Sequence, residues 1–299
     1  MVIKKIGLLF LTLCISFSIA YGKQIKLLAI GNSFSDDAVE HYLYGLAEAS
    51  GDTLIIGNMY IGGCSLEKHY NNALNNAANY SYRKIVAGEK TVTPNFSLAE
   101  AITDEPWDYV SFQQSSPLSG QYNSYSPHLA ELIKFARQHA VNPEMEIIFH
   151  VTWAYAQSST HAGFANYENN QMTMYHAIIE AAKQAAAEND IHIVVPSGTA
   201  IQNGRTSSLG DTFCRDGYHL ELNYGRYTAS CTWYETLFKK SVVGNEYVPS
   251  NITPLQARIA QLSAHHAVKD PWKITPIEVN EQTCETKPGG CDIRHKHCE

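Results

Sequence analysis

The 299-residue chain is poor in charge, with 17% Asp, Glu, Lys and Arg, and it holds no run of lysines and arginines. Its 29 acidic side chains outnumber the 22 basic ones, for a net charge of −7. A chain of that sign repels polyanions, so neither nucleic acid nor an anionic membrane surface is expected as a partner. Low charge together with 11% aromatic residues also excludes a disordered chain, which needs high charge and few aromatics. There is no internal repeat, no C-x-x-C pair and no zinc-ligand spacing, so no metal centre is expected. Beyond the N-terminus, no apolar run reaches the roughly 20 residues of a membrane span. The length suits one large domain or two small ones, enough to bury a core.

The N-terminus reads as a targeting segment. Met1-Val2-Ile3-Lys4-Lys5 is a short basic start; an apolar stretch from Ile6 to Ala20 and then Tyr21-Gly22 follow. This pattern predicts a signal peptide over 1–22 and a secreted or periplasmic protein. Cys14 follows the large Leu13 inside a continuing apolar stretch, which argues against a lipoprotein anchor. Removing the segment takes two lysines and no acids, moving the charge to −9. Six cysteines then remain: Cys64, Cys214, Cys231, Cys284, Cys291 and Cys298. An even number in an exported chain permits disulfides in any of 15 pairings. Cys214 and Cys231 are close enough in sequence to staple one loop. The last three stand seven apart near His295 and His297, where a disulfide-bearing or loose tail is favoured over a metal site.

Between these ends, short apolar runs alternate with helical patterns. Runs at 25–30, 53–56, 108–113, 146–152 and 191–195 read as buried strands. Val39, Tyr42, Leu43, Leu46 and Ala47 line one helical face behind Asp36 and Asp37, acids that suit a helix start. Further helices are expected at about 127–140 and 166–188. Residues 64–100, rich in Asn and Tyr, read as a helix fragment plus an insertion. The rhythm predicts a parallel sheet of five strands with helices on both faces. One domain over 23–270 is expected, followed by a polar Cys/His-containing tail over 271–299. In such sheets ligands bind outside the carboxyl ends of the strands.

Four strand-end segments carry candidate chemistry. Gly31-Asn32-Ser33-Phe34-Ser35 puts a serine at a sheet edge beside a helix N-terminus, where negative charge is stabilised; alone, such a serine is more often a helix cap. Gly62-Gly63-Cys64-Ser65 brings a backbone N–H without a Cβ in the way, as an oxyanion donor requires. Gln113-Gln114-Ser115-Ser116 supplies side-chain amides. In Asp216-Gly217-Tyr218-His219-Leu220 the carboxylate is placed to hold one imidazole nitrogen and leave the other as a general base toward Ser33. Trp107, Trp153, Tyr155 and Tyr60 fall near strand ends, either as an aromatic platform for a sugar ring or as ordinary core packing. His69 and His150 read as structural histidines.

Together these pieces resemble the SGNH (GDSL-like) hydrolases, a secreted bacterial branch, over about residues 26–240 and through four blocks in order. The resemblance implies a three-layer α/β/α, flavodoxin-like fold. It makes Ser33 the nucleophile, His219 the general base and Asp216 its partner. Asn32 replaces the family's usual Asp. The N–H groups of Ser33 and Gly63 match the oxyanion hole. The third block lacks its G-x-N-D; Gln113 or Gln114 takes the place of the Asn, which is similar to the sialate O-acetylesterase-like branch, and Gln113 is favoured. The implied activity is a serine esterase removing O-acyl groups, above all O-acetyl, from a small-molecule or polysaccharide ester without cofactor. A non-catalytic glycan-binding protein and a lipase or thioesterase of the same fold are the alternatives.

Overall fold

The structure, a computed structural model, describes residues 22–279. The signal-peptide reading, the lipid-anchor question at Cys14, and Cys284, Cys291, Cys298, His295 and His297 lie outside the described residues. Among those described, no helix is long and apolar enough to cross a membrane.

The five expected strands are present: β1 (Gln24–Gly31), β2 (Thr53–Tyr60), β5 (Tyr109–Phe112), β6 (Glu146–His150) and β7 (Ile193–Val195). All five run parallel. Their apolar runs suit strands covered on both faces. The sheet nevertheless has seven strands rather than five, in the order β4-β3-β2-β1-β5-β6-β7. The added pair, β3 (Tyr80–Val86) and β4 (Glu89–Phe96), is an antiparallel hairpin on β2. It turns at Ala87-Gly88, both with positive φ, the backbone of a two-residue hairpin turn. The hairpin hides in the sequence for physical reasons. β4 is an edge strand, solvent-exposed except at Phe96 and carrying Pro94, which only an edge tolerates. Within β3, Arg83 and Lys84 interrupt the apolar alternation because each meets acids, Asp36 and Glu40 for one, Asp104 and Glu105 for the other.

The helices also depart in detail from the sequence reading. The first expected helix is two, α1 (Ser33–Val39) and α2 (Leu43–Ala49). The chain breaks where Glu40 turns a buried carboxylate toward Asn58, Arg83 and Lys90. Then come α3 (Leu66–Leu74), α4 (Leu98–Asp104), α5 (His128–His139) and α6 (Gln171–Glu188). After β7 three more follow, α7 (Ser197–Arg205), α8 (Tyr224–Phe238) and α9 (Pro254–Lys269). Helix α8 is buried at every residue except Tyr224 and Arg226, so it has no polar face to set a period.

Helices α1, α2, α7, α8 and α9 pack together on one face of the sheet, and α3, α4 and α5 pack together on the other. From β1 the chain steps sideways to β2, whereas from β5 it steps the opposite way to β6 and β7. The reversal opens a crevice at the carboxyl ends of β1 and β5, the place where such sheets bind ligands. Thr275 and Ile277 donate their N–H groups to Asn203 and Thr206 of the α7 region at 2.7 and 2.9 Å, so residues 271–279 are seated on the domain. Cys64, Cys214 and Cys231 are free thiols; the loop staple between the last two is not made.

Candidate active site

The site begins where β1 turns into α1. Gly31 is needed there, since a Cβ would come within 2.5 Å of Ser35 Oγ and 3.1 Å of the Gln113 side chain. Asn32 caps α1 by accepting the Phe34 N–H at 2.9 Å, as Asn at this position characteristically does. Ser33 follows as the first helical residue. Its Oγ lies 2.9 Å from His219 Nε2, and His219 Nδ1 lies 2.7 Å from Asp216 Oδ2. Asp216 Oδ1 accepts the N–H groups of His219 at 2.8 Å and Tyr218 at 3.2 Å. Burial pushes the Asp216 carboxyl up, but the bonds from the His219 ring and from these two N–H groups outweigh it and leave it below the ordinary value. An ionised Asp216 accepts a hydrogen bond from the Nδ1–H of His219, which holds the tautomer whose Nε2 lone pair faces Ser33.

The loop carrying His219 is held at several points. Gly217 has φ +89°, and a Cβ there would meet Ser159 Cα at 2.9 Å. Its carbonyl accepts the Ala156 N–H at 2.8 Å, and the Tyr218 carbonyl accepts the Trp153 indole N–H at 2.8 Å. The next N–H, that of Leu220, is donated to Asp37 at 2.8 Å. Asp37 is completely buried on α1, one turn beyond Ser33, and also receives Arg226 Nε at 2.7 Å and Arg215 at 3.1 Å. The sequence reading of Asp36 and Asp37 as a helix start holds for position only. Asp37 ties the helix bearing Ser33 to the loop bearing His219. Its signal in the sequence was the pair of arginines flanking the Asp-x-x-His block.

On the other side of Ser33 stands the Gly62-Gly63 turn, with Gly63 exposed and at φ +62°. Neither the Ser33 nor the Gly63 N–H donates to another group among the described residues. Asn32 Nδ2 donates to the Cys64 carbonyl at 3.0 Å and so joins this turn to the serine. Gln113 stands beside the same elbow: its Nε2 donates to Asn32 Oδ1 at 2.9 Å, and its Oε1 accepts from His150 Nδ1 at 2.9 Å. Gln114 is turned elsewhere, to the Leu66 N–H and Ser124. His150 and His69 are both fully buried, and burial pushes each down to about 3; both are therefore neutral props at ordinary pH.

The aromatic platform is corrected. Trp107 precedes β5, at the opposite end of the sheet from Ser33, and is buried with its indole N–H on the Ala101 carbonyl. Trp153 and Tyr155 are 0% exposed: Trp153 is packed against Phe34, His150 and the Tyr218 carbonyl, and Tyr155 against His161 and Phe164. None of the three has a face to offer a sugar. Trp153 instead stacks on Phe34 at 4.2 Å between centroids and forms the back wall of the site. Tyr60 is half-buried, with Arg83 3.6 Å from its ring centroid. The half-exposed aromatic beside His219 is Tyr218, 4.2 Å away ring to ring, which the sequence reading quoted only as a spacer.

A crystal structure of a DUF4886 family protein from Bacteroides uniformis ATCC 8492 is 53% identical to this chain with a TM-score of 0.84, covering 85% of this chain and 98% of that one. A protein from Slackia heliotrinireducens, described as "a putative SGNH hydrolase", shares the fold at 21% identity and a TM-score of 0.50, over 72% of this chain and all of that one. Among curated proteins there is no match. Residues 26–267, nearly the whole domain from β1 to α9, match the DUF4886 family, a domain of unknown function. The chain belongs to that family.

Proposed function

We propose that this protein is a serine esterase, with Ser33 as nucleophile, His219 as general base and Asp216 as the partner that orients it. The observation that carries the reading is the unbroken line of contacts from Ser33 Oγ to His219 at 2.9 Å and on to Asp216 at 2.7 Å. Ser33 Oγ attacks the ester carbonyl while His219 Nε2 takes its proton. The tetrahedral oxyanion is met by the N–H groups of Ser33 and Gly63, which have no partner among the described residues, and by the second amide N–H of Gln113. The C–O bond then breaks, and His219 returns the proton to the departing alkoxide. Water, deprotonated by His219, cleaves the acyl-enzyme by the same route. No cofactor takes part.

We further infer an O-acetyl ester of a carbohydrate as substrate and a secreted or periplasmic location. The first rests on the resemblance carried by Gln113, the second on the reading of residues 1–22. A glycan-binding protein without turnover has no use for a base held against a serine, which favours catalysis over that alternative. The test is hydrolysis of 4-nitrophenyl acetate and labelling by a fluorophosphonate. Ser33→Ala is expected to lose at least 10³-fold in rate and all labelling, with an unchanged melting temperature. A variant that still turns over the ester at the wild-type rate removes the mechanism.

A further inference from the structure

Proton return constrains where the two halves of an ester lie. His219 must hand its proton to the departing alkoxide, so the alcohol portion occupies the side of Ser33 that His219 occupies. The acyl portion falls toward the Gly62-Gly63 turn. Tyr218 lies against the His219 ring, and His161 in turn meets the Tyr218 ring edge-on at 4.8 Å between centroids.

His161 is held in one tautomer. It caps the short helical turn Ala162–Tyr167, its Nδ1 accepting the Gly163 N–H at 3.0 Å. A backbone N–H can only donate, so Nδ1 carries the lone pair and the neutral ring carries its proton on Nε2. The Tyr155 hydroxyl approaches the same Nδ1 at 3.3 Å and is itself bound to Ser116 Oγ at 2.8 Å. The Nε2–H has no partner among the described residues, and the side chain is half-buried. Close approach is built in on both sides. Gly163 leaves no room for a Cβ, which would meet Pro117 Cβ at 2.4 Å, and Gly217 packs its bare Cα on Ser159.

We propose that His161 and Tyr218 form the subsite for the alcohol portion of the substrate. The fixed Nε2–H binds a hydroxyl or ring oxygen of a polyhydroxylated alcohol, and Tyr218 offers its ring to the C–H face. This deepens the esterase reading above and rests on it. It also replaces the buried Trp153 and Tyr155 as the site's contact with a sugar.

The experiment compares methyl 6-O-acetylglucoside with 4-nitrophenyl acetate, which shares the acetyl group but has no hydroxylated alcohol. The readout is the ratio of kcat/KM for the two. In His161→Ala the ratio is expected to fall about fivefold to tenfold, the loss of one hydrogen bond, and mainly through KM for the glucoside. His161→Ser restores a good cap without a donor that reaches the substrate, and its ratio is expected to stay low. A ratio unchanged in both variants, or restored by serine, overturns the proposal. Failure of the esterase reading shows differently, as wild-type protein with no ester turnover and no fluorophosphonate labelling. Binding of methyl glucoside, measured by calorimetry, then decides: weaker binding by His161→Ala supports the subsite and equal binding overturns it.

Discussion

Asn32 performs three hydrogen-bonding tasks at once. Its oxygen accepts from the Phe34 N–H and from Gln113, and its amide donates to the Cys64 carbonyl. A carboxylate at this position does the first two well and fails the third, because two oxygens would then face each other across 3.0 Å. Asn32→Asp, which brings the block closer to the usual SGNH pattern, is therefore expected to slow this chain. The predicted loss is about tenfold in kcat with labelling of Ser33 retained, since the Gly63 turn loses its tie to the serine elbow. An aspartate variant as fast as wild type would mean that the tie is unimportant. Of the residues around Ser33, the triad was legible because its types and order are distinctive. Gln113 was favoured over Gln114, but the choice turned on strand parity, which the sequence left open. The link through Asn32 was not legible, because it joins residues 32, 64 and 113, which nothing in the sequence brings together.

At the scale of elements, the arrangement depends on α1 and the 213–220 loop keeping a fixed separation. Asp37 supplies that constraint by receiving Leu220, Arg215 and Arg226 within a fully buried setting. Asp37→Asn removes the charge while leaving two guanidinium groups in place, and breaking a buried pair costs about 3–5 kcal/mol. The expected result is a lower melting temperature together with a kcat reduced by roughly 10–100-fold. KM should change little, because Asp37 is completely buried and has no surface to offer a substrate. Equal kinetics in a destabilised variant would show that Asp37 serves stability alone. The hairpin β3–β4 teaches a complementary lesson. Its residues were read as an insertion because an edge strand has no buried face to pattern, and because Arg83 and Lys84 are partly buried only by virtue of acids supplied from α1, α4 and the adjoining turns.

For the whole molecule, the two fully buried histidines govern the response to acid. His69 and His150 are held down to about 3 by burial, against an ordinary 6.5 when the chain is unfolded. Between those values the unfolded chain binds protons that the folded chain refuses. Stability therefore rises with pH across that window and is lost as pH falls from about 6.5 toward 3. Each residue accounts for roughly 5 kcal/mol at the acid end, a large share of the 5–15 kcal/mol typical of a domain. The melting temperature is expected to decline steadily from pH 7 to pH 4. His69→Gln, which removes a ring whose Nε2 has no partner, should flatten that decline; a slope identical to wild type would contradict the assignment.

The sequence by itself determined the five parallel strands, the edge at which they deliver their loops, and the identity of Ser33, His219 and Asp216 as a candidate triad. These features are encoded locally, in apolar runs bounded by turns and in short blocks whose order survives without coordinates. Tertiary structure decided which aromatics reach solvent, since Trp153 is covered by Phe34 and the Tyr218 loop, Tyr155 by His161 and Phe164, and Trp107 lies at the far end of the sheet from Ser33. It also decided that Asp37 and Asn32 couple the parts of the site, and that His161 displays an N–H beside Tyr218. Exposure and coupling depend on what distant segments place over a residue, and local composition does not record that.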